Sequence, residues 1–506
     1  MAPSGPFAPL ARRSFALLWV ANLVTALGTW IQSTAASWTM TAMAPDPLMV
    51  SLVQAAAQLP VLLLAIPAGA LADITDRRWF LVLTNGFMLA VSAALAVVAA
   101  LGALGPWSLL ALTALLAMGA ALNSPAWSAT VPMTVPRAEL SQGLVLNSMG
   151  FNVARAIGPA MGGLMVASLG VAVAFSVNAA SFAFVGVVVG LLLALPAQSA
   201  SGPREHLAGA IRIGLRFARA APTLRLALAR STLFYGSAAA LWALLPLQVA
   251  TGLGGGASAY GLLLGAIGVG AIAAGTLPCA LGSGMAATAA GLFVFGLGWM
   301  WGASNLQAIV QLLSPPWVRA RVVAIYQAVY YGAMGGGAIA WGWVGGHAGL
   351  THTLLAAAVA TAVLALAGHA LRLPDEIEDP TAPLPADWTG IHVDADPALA
   401  AVLGYRGGQI LVSIRYRVPG EHAGAFRNAI AMVGDVRRRC GARLWSAAQD
   451  IVEAENWAEI YVVDDWEEAQ RAEARLTLAD LETIRRAQSL QAGDAPPVWR
   501  LWLSRV

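Results

Sequence analysis

Residues 69–78 read GALADITDRR and separate two long apolar runs, 48–71 and 79–102. Within this stretch Asp73 closes the first apolar run, and Asp76 is followed directly by the paired bases Arg77 and Arg78. A helix that crosses the hydrocarbon core of a bilayer needs about 20 mostly apolar residues, and both flanking runs exceed that length. The stretch therefore predicts two membrane-spanning helices joined by a short, charged turn.

The composition extends this interpretation to most of the chain. Of the 506 residues, 58% are hydrophobic and 11% are charged, whereas soluble domains carry roughly 25% charged residues. Further apolar runs of spanning length give eleven predicted spans in all, at about 14–41, 48–71, 79–102, 105–131, 141–169, 171–195, 226–250, 258–282, 286–313, 322–346 and 350–371. The sequence thus predicts an all-α polytopic membrane bundle, for which the lipid bilayer is the solvent.

Positive charges mark the predicted cytoplasmic loops. Arg12 and Arg13 precede the first run, Arg77 and Arg78 follow the second, Arg137 follows the fourth, and further arginines fill residues 204–225. Because cytoplasmic loops are enriched in Lys and Arg, these positions alternate as the rule requires. We expect a multi-pass protein of the bacterial inner membrane with its N-terminus in the cytoplasm.

The second half of the membrane region repeats the first. Asn123 precedes Arg137 by 14 residues, Asn305 precedes Arg319 by the same interval, and a glycine-rich run follows each arginine. Parallel six-span repeats are typical of one large class of transporters. The second half has only five runs, however, so two six-helix halves are predicted with one span missing. Either the run near 258–285 fails to cross fully or the C-terminus lies outside; we expect the first, with a cytoplasmic C-terminal domain.

The composition divides the chain into five predicted segments. Residues 1–374 hold 15 Arg and five acidic residues, whereas 375–506 hold 14 Arg and 21 acidic residues. Strand-type alternation at 410–416 and helical spacing at 426–440 begin a βαββαβ pattern, which predicts an α+β ferredoxin-like domain. The segments are an N-terminal half (1–196), an inter-half loop (197–225), a C-terminal half (226–372), a linker (373–404) and a soluble domain (405–506).

The charged turn can act as a latch between helices. Asp73 at the end of one helix can form charge-assisted bonds with Arg77 and Arg78 near the start of the next; the alternative is that the two arginines only mark topology. Gly69, Leu71, Asp73, Arg77 and Arg78 resemble motif A of the major facilitator superfamily, with Ile74 and Asp76 where Arg and Gly are usual. The resemblance implies a gating role for these five residues.

Gly158, Pro159, Gly162 and Gly163 in the fifth run resemble motif C, the export signature of the same superfamily. Glycine lets helices approach closely and proline frees a backbone carbonyl; the alternative is ordinary glycine packing.

The whole chain resembles the enterobactin-exporter-like branch, which implies export of siderophore- or drug-like small molecules. The final domain resembles dimeric α/β-barrel domains related to antibiotic-biosynthesis monooxygenases, which implies dimerisation through this domain.

Polar residues inside the predicted spans are candidates for a substrate cavity. A charge at membrane depth costs a few kcal/mol or more and is a functional hypothesis by default, so Arg155 stands out. It can bind an anionic substrate or act as a structural clamp. The remaining candidates each serve equally well as interhelical hydrogen-bonding groups; they are Asn22, Gln32, Asn123, Asn152 and Asn305.

The sequence predicts a secondary-active transporter that is not an enzyme. It contains no assembled catalytic triad, metal cluster or phosphate loop, so we expect no catalytic residues, no metal, no cofactor and no nucleic-acid partner. An ion or proton gradient is the expected energy source, and no carboxylate deep in a span identifies the ion. Two alternatives stay open: a membrane-anchored monooxygenase-like enzyme, and a non-transporting degenerate relative that acts as a scaffold.

Overall fold

The computed structural model describes residues 7–130, 133–136, 139–192, 214–219, 221–269, 284–315, 318–370, 409–465, 468–469, 472, 475–493 and 498–503. The described part contains eleven α-helices of the membrane region, a helical segment at residues 214–219, a few short 3-10 and π-helical turns, and the elements of a C-terminal α/β region. The membrane-region helices are α1 (Arg13–Met43), α2 (Pro47–Ile74), α3 (Arg77–Ala100), α4 (Pro106–Thr130), α5 (Leu140–Leu169), α6 (Val171–Val187), α7 (Pro222–Leu247), α8 (Ala257–Val269), α9 (Met285–Leu312), α10 (Arg319–Ala348) and α11 (Leu350–Ala370).

Local chemistry explains where several of these helices begin. Asp46 caps α2 by accepting a hydrogen bond from the Met49 amide, and Pro47 supplies the fixed φ of a first helical residue. Asp76 caps α3 in the same way through the Trp79 amide, at 3.0 Å. Gly170, with φ of 85°, provides the left-handed turn between α5 and α6.

Seven helices of the described residues are long and apolar enough to cross a membrane. They correspond to α1, α2, α3, α4, α6, α7 and α10, and two shorter apolar stretches lie within α9 and α11. Helix α5 is not among the seven, and it carries Arg155. The count of eleven spans and the incomplete crossing near 258–285 stay predictions, because residues 270–283 lie outside the described part.

The chain divides into two compact units. One consists of Met1–Pro203, Ala229–Leu306 and Tyr326–Arg372, and the other of Arg204–Leu228, Gln307–Ile325 and Leu373–Val506. The second unit therefore combines the C-terminal region with the segment that joins the two predicted halves. The predicted boundaries at 196, 225, 372 and 404 stay predictions.

The C-terminal region alternates strands and helices as its sequence pattern predicts. Its elements are β1 (Ile410–Arg417), α12 (Ala423–Cys440), β2 (Leu444–Gln449), β3 (Asn456–Val463), α13 (Leu478–Gln488) and β4 (Val498–Leu503). The strands form one antiparallel sheet in the order β2-β3-β1-β4. A capping box of Thr477 and Asp480 begins α13, and residues 468, 469 and 472 before it are also helical.

The core of this region lies between one face of the sheet and the two helices. Alternate residues of β1, beginning with Ile410, are buried and pack with Phe426 and Val433 of α12. Gly434 lies so close to Trp445 that a Cβ would meet the indole at 2.6 Å. Glycine is therefore required where α12 crosses β2.

Candidate functional site

The charged turn at residues 69–78 separates α2 from α3, and its two arginines also contact residues outside these two helices. Arg77 Nη1 lies 2.9 Å from the sulfur of Met133, in the connection between α4 and α5, and Arg78 donates to the carbonyl of Gly190 in the π-helical turn that follows α6. Asp76 is occupied in capping α3. Arg77 and Arg78 therefore contact other parts of the N-terminal half and do more than mark topology.

The remaining residues of the predicted latch are described less fully. Leu71 is 38% exposed. Gly69 and Asp73 fall among positions of α2 whose surroundings lie outside the described part. The pairing of Asp73 with the arginines stays a prediction.

A second charge pair connects the N-terminal ends of α1 and α5. Arg12 donates from Nε and Nη2 to the two carboxylate oxygens of Glu139, at 2.8 and 2.7 Å. The hydrogen bonds from Arg12 hold the pKa of Glu139 below its ordinary value. The sequence marks Arg12 only as a topology signal and gives no sign of Glu139, because the two residues are 127 positions apart.

Two glycines of the motif C-like stretch let α5 pack directly on α1. A Cβ at Gly158 would meet the Trp30 Cβ at 2.6 Å, and one at Gly162 would meet the Ile31 Cα at 3.0 Å. The helices run parallel, since Trp19 of α1 also donates to the Leu146 carbonyl of α5 at 2.8 Å. The C-terminal ends of α1 and α5 thus lie at one end of the bundle.

Gly163 faces a helix of the other half. A Cβ at Gly163 would lie 2.8 Å from the Cα of Gly261 in α8, and a Cβ at Gly261 would lie 2.8 Å from the Cα of Gly163. Backbone meets backbone here, so no side chain can move aside. We call this pair the first glycine seam.

An equivalent contact joins α10 to α2. A Cβ at Gly342 would lie 2.7 Å from the Ser51 Cβ, and one at Gly345 would lie 2.9 Å from the Pro47 Cβ. We call this contact the second glycine seam. Pro47 follows the end of α1 after a short turn, so both seams close the same end of the bundle.

The two seams are related by the internal repeat. The interval that separates Arg137 from Arg319, 182 residues, also separates Gly163 from Gly345. In each seam the last turns of one helix meet the first turns of a helix in the opposite half. The repeat predicted the paired glycines, but only the fold identified their partners.

Gln32 belongs to a buried hydrogen-bond network between helices. Its Oε1 accepts from Ser92 of α3 at 2.8 Å and from Asn178 of α6, and Ser181 donates to the Asn178 carbonyl. Gln32 itself is 6% exposed. Gln32 therefore connects α1 to α3 and α6. It has the role of an interhelical hydrogen-bonding group, which was the alternative to lining a cavity.

Asn123 has a comparable place, since its Oδ1 accepts from Thr84 at 2.9 Å and from Asn85 at 3.0 Å, both in α3. Asn22 is half-buried in α1. Asn152 is exposed and donates to the Ser148 carbonyl of its own helix, and Asn305 is exposed on α9. A cavity shared by the predicted residues stays a prediction.

Arg155 lies against an aromatic cluster that sequence analysis missed. Arg155 is half-buried in α5 and lies near Tyr330 of α10. Tyr330 packs edge-on against Tyr235 of α7, with ring centroids 4.7 Å apart. Tyr235 is 2% exposed, and its hydroxyl lies 2.6 Å from that of Tyr326.

The cluster continues through tryptophans to the N-terminal half. Trp299 of α9 packs against Tyr235 and Trp242, at centroid distances of 5.4 and 5.6 Å. Trp242 of α7 in turn lies 6.3 Å from Trp30 of α1. The tyrosines and tryptophans in the predicted spans were the only sign of this cluster in the sequence. Their spacing does not show which of these side chains contact each other.

The C-terminal region buries one carboxylate. Glu459 is fully buried and accepts hydrogen bonds from Tyr416 Oη, Arg437 Nε and Trp445 Nε1, at 2.9, 3.1 and 3.1 Å. Burial raises the pKa of Tyr416, so its hydroxyl stays protonated and donates to Glu459. Among the described residues no group of His, Cys, Asp and Glu is placed to hold a metal ion.

This region also contacts the segment between the two halves. In the helical residues 214–219, Arg216 Nη1 donates to the Gly441 carbonyl at 2.5 Å, next to the end of α12. Phe217 is 2% exposed, and a Cβ at Gly214 would meet the Cβ of Arg321 in α10 at 3.0 Å. The segment is thus packed on both sides within the second compact unit.

Comparisons with known proteins place the chain among transporters. The model of a family described as "Transmembrane secretion effector" matches residues 4–289 and 276–506. The chain is 29% identical over 226 residues to the uncharacterized MFS-type transporter YfiS of Bacillus subtilis, covering 43% of this chain and 52% of that protein.

Two further relatives have more specific names. The staphyloferrin A transporter of Staphylococcus aureus is 27% identical over 142 residues, 28% of this chain and 36% of that protein. The multidrug efflux pump Tap of Mycobacterium tuberculosis is 26% identical over 212 residues, 40% of this chain and 50% of that protein. The chain therefore spans about half or less of the length of these relatives.

Solved transporters share the fold. A bacterial homolog of the human lysosomal transporter Spinster, inward-facing and occupied, matches with a TM-score of 0.56 at 14% identity, covering 73% of this chain and 97% of that chain. A POT family transporter in complex with 5-aminolevulinic acid matches with a TM-score of 0.56 at 13% identity, covering 70% and 95%. At these identities the likeness concerns the fold alone.

Proposed function

The chain belongs to the transmembrane secretion effector family and is a transporter of the major facilitator type, and from that premise we propose that it exports small organic molecules by alternating access. The supporting observation is the pair of glycine seams, which join the two halves at one end of the bundle. Opening both seams would separate the halves at that end. A membrane anchor for an enzyme, or a scaffold, requires no such paired contact.

Efflux from a sealed compartment tests the proposal. The purified chain would be reconstituted in liposomes loaded with a fluorescent drug or a siderophore, and an ion or proton gradient would be imposed. Substrate movement that depends on both the gradient and the protein supports secondary-active export. A chain that binds substrate but moves none, with any gradient, would instead be a non-transporting relative.

The orientation that we propose has the N-terminus and the C-terminal domain in the cytoplasm of a bacterium, with the bundle in the inner membrane. The arginines at the ends of α1, α3 and α10 support it, because cytoplasmic loops are rich in Arg. The seam end of the bundle would then face outward. A thiol-reactive, membrane-impermeant reagent applied to whole cells should leave a cysteine in the C-terminal domain unlabelled.

We further propose that Asp73 acts with Arg77 and Arg78 as a latch at the opposite end. Asp73→Asn should lower transport several-fold without affecting insertion, because charge-assisted hydrogen bonds are roughly twice as strong as neutral ones. Asp76→Asn is the matched control, since Asn caps a helix about as well as Asp. Equal transport by the two variants would leave Asp73 without a latch role.

The C-terminal domain is proposed to act on transport through the segment between the halves. Arg216→Ala removes the hydrogen bond to Gly441, so chymotrypsin should cleave after Phe217 faster in this variant than in the parent chain. The neighbouring, exposed Arg219→Ala provides the control. Identical cleavage rates in both variants would show that the domain does not hold this segment.

Dimerisation through the C-terminal domain stays a prediction. The sheet face opposite the helices carries a row of paired residues, Leu444, Val462, Leu411 and Trp502, across all four strands. Leu444 and Trp502 are 69% and 52% exposed. A second copy would cover this apolar row, and mass measurement of the purified chain in nanodiscs would detect it.

A further inference from the structure

Arg155 occupies a defined depth within the bundle. It lies one turn before Gly158, which packs on Trp30, and about 12 Å along α5 from the first glycine seam, at 1.5 Å per residue. Helices α5 to α11 contain no Asp or Glu. These helices therefore offer no carboxylate to a cationic ligand.

The groups around Arg155 combine this charge with aromatic surface. Tyr330, Trp242 and Trp30 are each half-buried, and Trp30 also packs on Gly158, one turn from Arg155. Tyr235, Tyr326 and Trp299 behind them are buried and hold the rings through edge contacts and the tyrosine hydrogen bond. Aromatic rings offer flat apolar surface, and guanidinium offers a planar fork that matches carboxylates.

Resting on the proposed transport function, we infer that Arg155 and the aromatic cluster bind an aromatic molecule that carries an anionic group. The ring of the ligand would pack on Tyr330 and the tryptophans, and its carboxylate or similar anion would accept hydrogen bonds from Arg155. A cationic ligand would meet the like charge of Arg155 and no carboxylate on α5 to α11. The site therefore selects by charge among molecules of equal apolar size.

Three probes with one ring system test this selection: 2-naphthoate, 2-naphthalenemethanol and 2-naphthylmethylammonium. Their affinities for the intact chain in nanodiscs would be measured by calorimetry, which requires no transport. We expect 2-naphthoate to bind about 10- to 100-fold more tightly than the alcohol, the range for a hydrogen bond to a charged group. The ammonium should bind more weakly than either.

Variants connect this preference to Arg155. Arg155→Met should remove the preference for 2-naphthoate over the alcohol, Arg155→Lys should retain most of it, and the exposed Arg225→Met should leave it unchanged. Tyr330→Ala should weaken the binding of all three probes to a similar extent. An unchanged preference in Arg155→Met, or tighter binding of the ammonium, overturns the inference.

Binding and transport outcomes can be separated. If 2-naphthoate binds as expected but no substrate moves in liposomes, the site is correct and the transport proposal fails. If transport of other compounds proceeds while 2-naphthoate shows no preferential binding, the transporter stands and the assigned ligand class is wrong.

Discussion

Gly163→Ala is expected to reduce transport about fivefold to a hundredfold while leaving the chain inserted in the membrane. The added Cβ would lie 2.8 Å from the Gly261 Cα, against backbone that cannot rotate away. Overpacking of this kind costs about 1–3 kcal/mol, and 1.4 kcal/mol shifts a two-state equilibrium by about a factor of ten. The cost falls only on the state in which this end is closed, so that state is depopulated.

Gly186→Ala in α6 is the matched control, because a Cβ at that position meets nothing within 4 Å. It adds the same methyl group to a helix of the same half and should transport normally. Labelling of a cysteine placed near Gly170 should rise in Gly163→Ala and not in the control. Full transport by Gly163→Ala would remove the first glycine seam from the mechanism.

Glu459→Ala is expected to destabilise the C-terminal domain by about 3–5 kcal/mol, the cost of removing one partner of a buried ion pair. Arg437 is 5% exposed and would lose the carboxylate that accepts from its Nε. Tyr416 and Trp445 would lose the same acceptor. Hydrogen exchange of the β1 and β3 amides in the intact chain measures the change.

Glu455→Ala is the control for this effect. Glu455 precedes the same strand, but its partnership with Arg417 is exposed, with 71% and 53% of the two side chains accessible. Exposed ion pairs contribute about 0–1 kcal/mol. If both variants raise the amide hydrogen-exchange rates equally, the buried network around Glu459 contributes no more to stability than the exposed ion pair does.

Sequence periodicity predicted the elements well because long apolar runs and strict alternation are local signals. The spans predicted at 141–169 and 350–371 correspond to α5 and α11 within a residue or two. The start of α13 was less clear, since a capping box at Thr477 determines it rather than apolar spacing. The run near 258–282 begins a helix, α8, at Ala257.

The candidate site was predicted in parts. The sequence singled out Arg155 because a charge within an apolar run is rare, and it singled out Gly158 to Gly163 by resemblance. It did not identify Tyr330, Tyr235 or Trp299, since aromatic residues are common in membrane helices. Nor could it separate Gln32, which ties helices together, from residues that line a cavity.

By itself, the sequence determined that this protein is a multi-pass membrane bundle, and it predicted a repeated architecture and a separate α/β domain, because hydrophobic length, charge bias and periodicity act along the chain. The partners across the bundle were decided only by the tertiary structure. Gly163 and Gly261 are 98 residues apart in sequence, and Arg155 and Tyr330, which lie near each other, are 175 residues apart. Such contacts depend on how helices pack, and in a bilayer that packing follows from close fit and hydrogen bonding rather than from hydrophobicity.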